Sequence, residues 1–115
     1  MLNAPIRLCS SDRLTPPCAI SSDDNQIVLV QLAVDQPVRG YRNQCPHRKI
    51  RLNHQNDQFL DEHGQHLQCM NHGALFEVST GRCIAGPCTG QALDSVPVFV
   101  CKDGVYCVLG RYSGG

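Results

Sequence analysis

Two short stretches, Cys45-Pro46-His47 and Cys69-Met70-Asn71-His72, each offer one thiol and one imidazole from a loop, with 21 residues between the first histidine and the second cysteine. Together they make a Cys2His2 set, and in a reducing compartment such a set points to a metal. The fold must then bring two loops, one from each side of that segment, to a common point. Thiolate and imidazole suit iron–sulfur clusters and zinc alike, so ligand type alone leaves both open.

At 115 residues the chain is long enough for one core and not for two, and residues 1–115 are expected to form a single domain. Ten basic and ten acidic residues cancel, so the overall charge gives no reason to expect a nucleic acid partner. No apolar run approaches the roughly 20 residues of a membrane span, and no membrane attachment is expected. Residues 1–7 lack the basic cluster and apolar run of a signal peptide, which points to the cytoplasm. There, eight cysteines read as metal ligands and buried thiols and not as a disulfide framework.

Turn formers recur throughout, and no window of helical length shows a 3.6-residue period, so the chain reads as all-β, in short antiparallel strands. Strands are expected at 6–9 and 18–20, then a strong one over 26–34, returning at 38–42 after Asp35-Gln36-Pro37. Phe59-Leu60 and 66–68 read as arms of a short hairpin, with a further strand at 75–78. Runs at 93–101 and 105–109 flank Lys102-Asp103-Gly104; with Asp103-Gly104 as the two-residue loop, Cys101 would pair with Tyr106 and face away from Cys107. The C-terminal residues 113–115 read as frayed.

The second stretch runs on into Gly73-Ala74-Leu75-Phe76 and is followed by Gly81-Arg82-Cys83-Ile84-Ala85-Gly86-Pro87-Cys88. The combination C-x-H, C-x2-H-G and a Gly-Pro loop resembles the Rieske iron–sulfur family over roughly residues 41–100. The resemblance implies a Rieske-type fold: antiparallel base sheets from 1–42 and 90–112, with a small cluster-binding subdomain inserted at about 43–89. It implies one [2Fe-2S] cluster per chain, held by Cys45, His47, Cys69 and His72. Zinc sites more often pair like ligands at short spacing, C-x2-C with H-x3-H, which this order does not follow.

The resemblance further implies a one-electron carrier between a reductase and an oxygenase or other oxidoreductase. It is not expected to be an enzyme itself, since no second metal triad or nucleotide motif is present. Alternatives are a small subunit of a larger oxidoreductase, a zinc-binding interaction module, or a redox sensor using Cys83 and Cys88. Family members of high potential carry a loop disulfide and two hydroxyl donors to the cluster. Here the matching positions hold Ile50 and Asn71, and Ala74 and Phe76, which implies a potential at the low end.

Gly73, Gly86 and Gly90 are expected to allow close backbone approach to the cluster, with Leu52 and Phe76 packing beneath it. Cys83 and Cys88 read as buried thiols packing a tight loop, and Cys9 and Cys18 as core. His54, His63 and His66 read as solvated loop histidines. Arg48 and Lys49 read equally as solvated charges or as contacts for an acidic partner.

Overall fold

The computed structural model describes residues 5–46, 49–53, 57–71 and 73–108. Ten short strands carry the architecture: β1 (Pro5–Cys9), β2 (Cys18–Ser21), β3 (Ile27–Gln31), β4 (Arg39–Arg42), β5 (His66–Gln68), β6 (Leu75–Glu77), β7 (Cys83–Ala85), β8 (Ser95–Val96), β9 (Val98–Cys101) and β10 (Gly104–Val108). Among the described residues the helical content is one 3-10 turn, Ser11–Arg13. The strands form three antiparallel sheets, ordered β1-β10-β9, β2-β3-β4-β8 and β5-β6-β7. The third sheet is inserted between β4 and β8 of the second.

The position of β3 explains its composition. Alternate side chains of a strand face opposite ways. Ile27 and Leu29 join a core with Leu8, Cys9, Val105 and Cys107 of the first sheet. Val28 and Val30 enter a second core with Leu52, Phe59, Leu67 and Phe76, so the chain builds two buried clusters, one on each face of β3, where a single core was expected. Both faces of β3 are therefore buried, and the strand reads as the continuous apolar run Ile-Val-Leu-Val instead of an alternation. The second sheet is thus a middle layer, with the first sheet on one side and the inserted unit on the other.

Several expectations are corrected. The strand expected over 26–34 ends at Gln31; Ala33 to Gln36 turn, with the Gln36 N–H donating to the Ala33 carbonyl at 3.0 Å. The run at 93–101 is two strands, because Pro97 has no N–H and marks a change of sheet: β8 pairs β4, and β9 pairs β10. In the last hairpin Cys101 pairs with Gly104, so the loop is Lys102-Asp103 and the register differs by two residues.

The reason lies in Gly104. A Cβ there would stand 3.0 Å from the Cys9 carbonyl oxygen and 2.7 Å from Arg7 Nε. This glycine serves the close passage of β1 and not the turn. A shift of two keeps the parity, and Cys101 is exposed while Cys107 is buried. β7 was not expected as a strand. Leu109 and residues 113–115 lie outside the described residues.

Candidate metal centre

Cys45 follows β4 after Asn43 and Gln44, and Cys69 follows β5 directly. The two loops close in the same way. The Cys45 carbonyl accepts the Lys49 N–H at 2.7 Å, and the Cys45 N–H donates to the Ile50 carbonyl at 2.6 Å. The Cys69 carbonyl accepts the Gly73 N–H at 2.8 Å, and the Cys69 N–H donates to the Ala74 carbonyl at 2.9 Å. In each turn the cysteine oxygen is bonded four residues on and its nitrogen five residues on.

The fourth residue after the cysteine is left-handed in both, Lys49 at φ 61° and Gly73 at φ 71°. A lysine there holds a backbone state that glycine reaches without penalty. Each turn therefore presents a buried sulfur from a backbone whose polar groups are already committed. Cys45 and Cys69 lie in the same buried cluster and are unbridged. His47 and His72, which fall inside these turns by sequence, lie outside the described residues, as do Arg48 and His54. The described residues alone gather no group of three metal-ligating side chains.

Direct hydrogen bonds lock the turns to one another. The Met70 N–H donates to the Leu52 carbonyl at 2.8 Å, and Asn71 Nδ2 donates to the Arg51 carbonyl at 2.9 Å. Asn71 thus contributes a hydrogen-bonded cross-link between the turns. Behind the first turn stands Asn43, a buried polar side chain that sequence reading did not single out. Its Oδ1 accepts the Leu52 N–H at 2.9 Å. Its Nδ2 donates to the Asn25 carbonyl at 3.0 Å and to Asn53 Oδ1 at 3.0 Å. Asn25 sits in the β2–β3 turn at φ 61°, so a polar relay runs from the middle sheet through Asn43 to Leu52 and on to Met70.

The third wall is the Gly86-Pro87 loop. A Cβ on Gly86, at φ 102°, would stand 2.8 Å from Ala74 Cα. Gly86 thus passes close to the backbone of the second cysteine turn. Gly73 and Gly90 have left-handed φ values but no heavy atom nearer than 3.9 Å to an added Cβ.

Cys83 and Cys88 flank the loop, buried and free, with Cys83 Sγ donating to the Ala85 carbonyl at 3.3 Å. Burial, a hydrogen bond with Cys83 and the charge of a thiolate at Cys45 push the Cys88 thiol up to about 12. Burial likewise raises Cys9, Cys18 and Cys107. These thiols stay protonated and inert at neutral pH.

Leu52 and Phe76 are fully buried and belong to the same buried cluster as both cysteines. The exposed His63 remains a loop histidine, but His66 is a strand residue whose Nδ1 lies 3.3 Å from Asp61 Oδ2. Tyr41, on β4, donates its hydroxyl to the Val78 carbonyl at 2.6 Å and ties the middle sheet to the end of β6.

Two buried sulfurs on matched turns, each with a histidine two or three residues on, form a donor set that fits a two-iron cluster. The family model for the Rieske [2Fe-2S] domain matches residues 5–102. The ferredoxin of carbazole 1,9a-dioxygenase from Nocardioides aromaticivorans IC177 is similar, with a TM-score of 0.67 at 23% identity over 91% of this chain and 97% of that one. The Sphingomonas yanoikuyae B1 ferredoxin gives a TM-score of 0.64 at 23% identity, over 91% and 97%. A quaternary ammonium Rieske monooxygenase gives 0.72 at 16% identity, over 96% of this chain and 32% of that larger one. No curated protein matches the sequence.

Proposed function

The chain belongs to the Rieske [2Fe-2S] domain family, and on that premise we propose that Cys45, His47, Cys69 and His72 hold its [2Fe-2S] cluster. The observation that carries this assignment is the matched closure of the two cysteine turns. When bound, the cluster supplies one-electron redox chemistry. The chain's own residues fix the two sulfurs, exclude water through Leu52 and Phe76, and hold the turns together through Met70 and Asn71.

The protein acts as an electron carrier, not an enzyme, taking an electron from a reductase and passing it to an oxygenase or another oxidoreductase. The ferredoxins it resembles, one of them the ferredoxin of a dioxygenase, support that role. Residues 43–89 form the cluster-carrying unit on a base of 1–42 and 90–112 within one domain, a division supported by the inserted third sheet. No helix among the described residues is long and apolar enough to cross a membrane. The free thiols favour the reducing cytoplasm as its compartment.

The test is the optical and electron paramagnetic resonance spectrum before and after dithionite. A brown protein whose reduced form gives an S = 1/2 signal, with an average g-value below that of four-cysteine clusters, is the expected result. A colourless, zinc-containing protein that stays silent after anaerobic reconstitution with iron and sulfide would overturn it.

A further inference from the structure

Five of the ten basic residues, Arg39, Arg42, Arg48, Lys49 and Arg51, fall within residues 39–51, and no acidic residue occurs between Asp35 and Asp57. A chain of zero net charge is therefore strongly polar along its length, and the basic segment contains the first cysteine turn. Arg42, Lys49 and Arg51 line a cleft of 160 Å³ together with Gln26, Asn43 and Gln44, a lining without a carboxylate. Three of the ten acidic residues are engaged elsewhere, Asp23 and Asp57 at Arg13 and Asp61 at His66.

Between the exposed Lys49 and Arg51 stands Ile50, 41% exposed although apolar. Its carbonyl closes the Cys45 turn, so this patch is the outer surface of the turn itself. A small apolar centre inside a charged rim is the anatomy of a protein–protein contact. A polyanion such as duplex DNA calls instead for an extended basic stripe without an apolar centre.

We propose that the outer face of the first cysteine turn is the docking surface for a redox partner with an acidic face, its carboxylates meeting Lys49 and Arg51 around Ile50. The proposal rests on the electron-transfer reading above. It deepens that reading by fixing the sign of the partner's charge and the turn through which contact is made.

The test needs no identified partner. The cluster-loaded, dithionite-reduced protein is mixed in a stopped flow with hexacyanoferrate(III), an anion, or hexaammineruthenium(III), a cation. In each case one electron passes from protein to probe, and the visible absorbance that returns as the cluster is oxidised is followed. Raising salt from about 10 mM to about 1 M cuts the screening length from roughly 30 Å to 3 Å. The anion's rate should fall by at least about tenfold while the cation's rate rises. The chain's own net charge is zero and the reduced cluster with its two thiolates adds only one negative charge, so a slope of the expected sign reports the local basic field. The double substitution Lys49→Glu with Arg51→Glu should reverse both slopes.

Flat or inverted slopes in the loaded wild-type protein would overturn the docking proposal and leave the carrier reading intact. A protein that takes up no cluster would overturn both. If the double variant fails to load, the wild-type slopes decide alone. Binding of the loaded protein to phosphatidylserine vesicles or to duplex DNA at about 0.15 M salt, weakened by further salt and lost in the double variant, would assign the face to a polyanion and overturn the protein-partner assignment.

Discussion

Replacing Gly86 by alanine measures how tightly the Gly86-Pro87 loop is pressed onto the second cysteine turn. The new methyl would stand 2.8 Å from Ala74 Cα and 3.0 Å from Ala74 Cβ, about 1 Å inside ordinary carbon–carbon contact. One of those atoms is backbone, so the contact cannot be relieved by a side-chain rotation. The backbone at φ 102° adds strain of about 1–3 kcal/mol for a residue with a Cβ. Gly90 provides the internal control, since its φ is 97° and an added Cβ would meet nothing within 4 Å.

Gly90→Ala therefore carries the backbone strain alone, while Gly86→Ala adds overpacking of about 1–3 kcal/mol. With a urea slope of about 1–3 kcal/mol per molar, the Gly86→Ala midpoint should lie roughly 1 M below that of Gly90→Ala. Circular dichroism of the cluster-loaded protein during urea titration gives both midpoints. The Ala74 carbonyl holds the Cys69 N–H, so visible absorbance should also bleach earlier in Gly86→Ala. Coincident midpoints and bleaching for the two variants would refute the reasoning, because the contact with Ala74 would then cost nothing.

Asn43→Ala strands the N–H of buried Leu52 and should cost about 2–3 kcal/mol in urea titrations, whereas Asn71→Ala, which loses the bonds from Nδ2 to the Arg51 carbonyl and to Cys69 Sγ but buries no stranded group, should cost about 1 kcal/mol. Tyr41→Phe removes the bond to Val78 and should cost about 1 kcal/mol by the same measurement. The raised Cys88 thiol keeps its proton in the folded state at pH values where the unfolded thiol has lost it. The stability it contributes is complete below about pH 9 and declines as pH rises towards about 12, and Cys88→Ala should flatten that decline in urea midpoints. Phe76→Tyr places a hydroxyl where high-potential relatives have one, and redox titration should show a midpoint raised by roughly 50 mV, equivalent to about 1 kcal/mol for one electron.

The parts of the molecule written in local sequence were legible. Strands β1, β2 and β4 lie close to their expected spans, because Pro, Ser, Asp and Asn clusters punctuate short apolar runs. The hairpin closing at Asp61 was also readable, and there the carboxylate caps the turn by accepting the Gln65 and His66 N–H groups. What failed depended on partners distant in sequence. Gly104 looks like half of an Asp-Gly turn until β1 is laid beside it, and nothing near residue 104 announces Cys9. Asn43 was overlooked because a buried amide resembles a surface amide until Asn25 and Leu52 are brought to it. Pro97 was a visible signal of the break between β8 and β9, and it was passed over.

The matched cysteine turns bear on speed as well as on ligation. A carrier that accepts and releases one electron is slowed by every atom that must shift between the two charge states. At both Cys45 and Cys69 the peptide N–H and C=O are held at 2.6–2.9 Å within the turn itself, and the two turns are bonded to each other. Backbone dipoles so constrained are already oriented before the electron arrives and do not relax afterwards. Little nuclear rearrangement then accompanies exchange, and transfer can proceed with almost no driving force. For the carrier role proposed above, a small drop in potential between donor and acceptor then suffices in either direction.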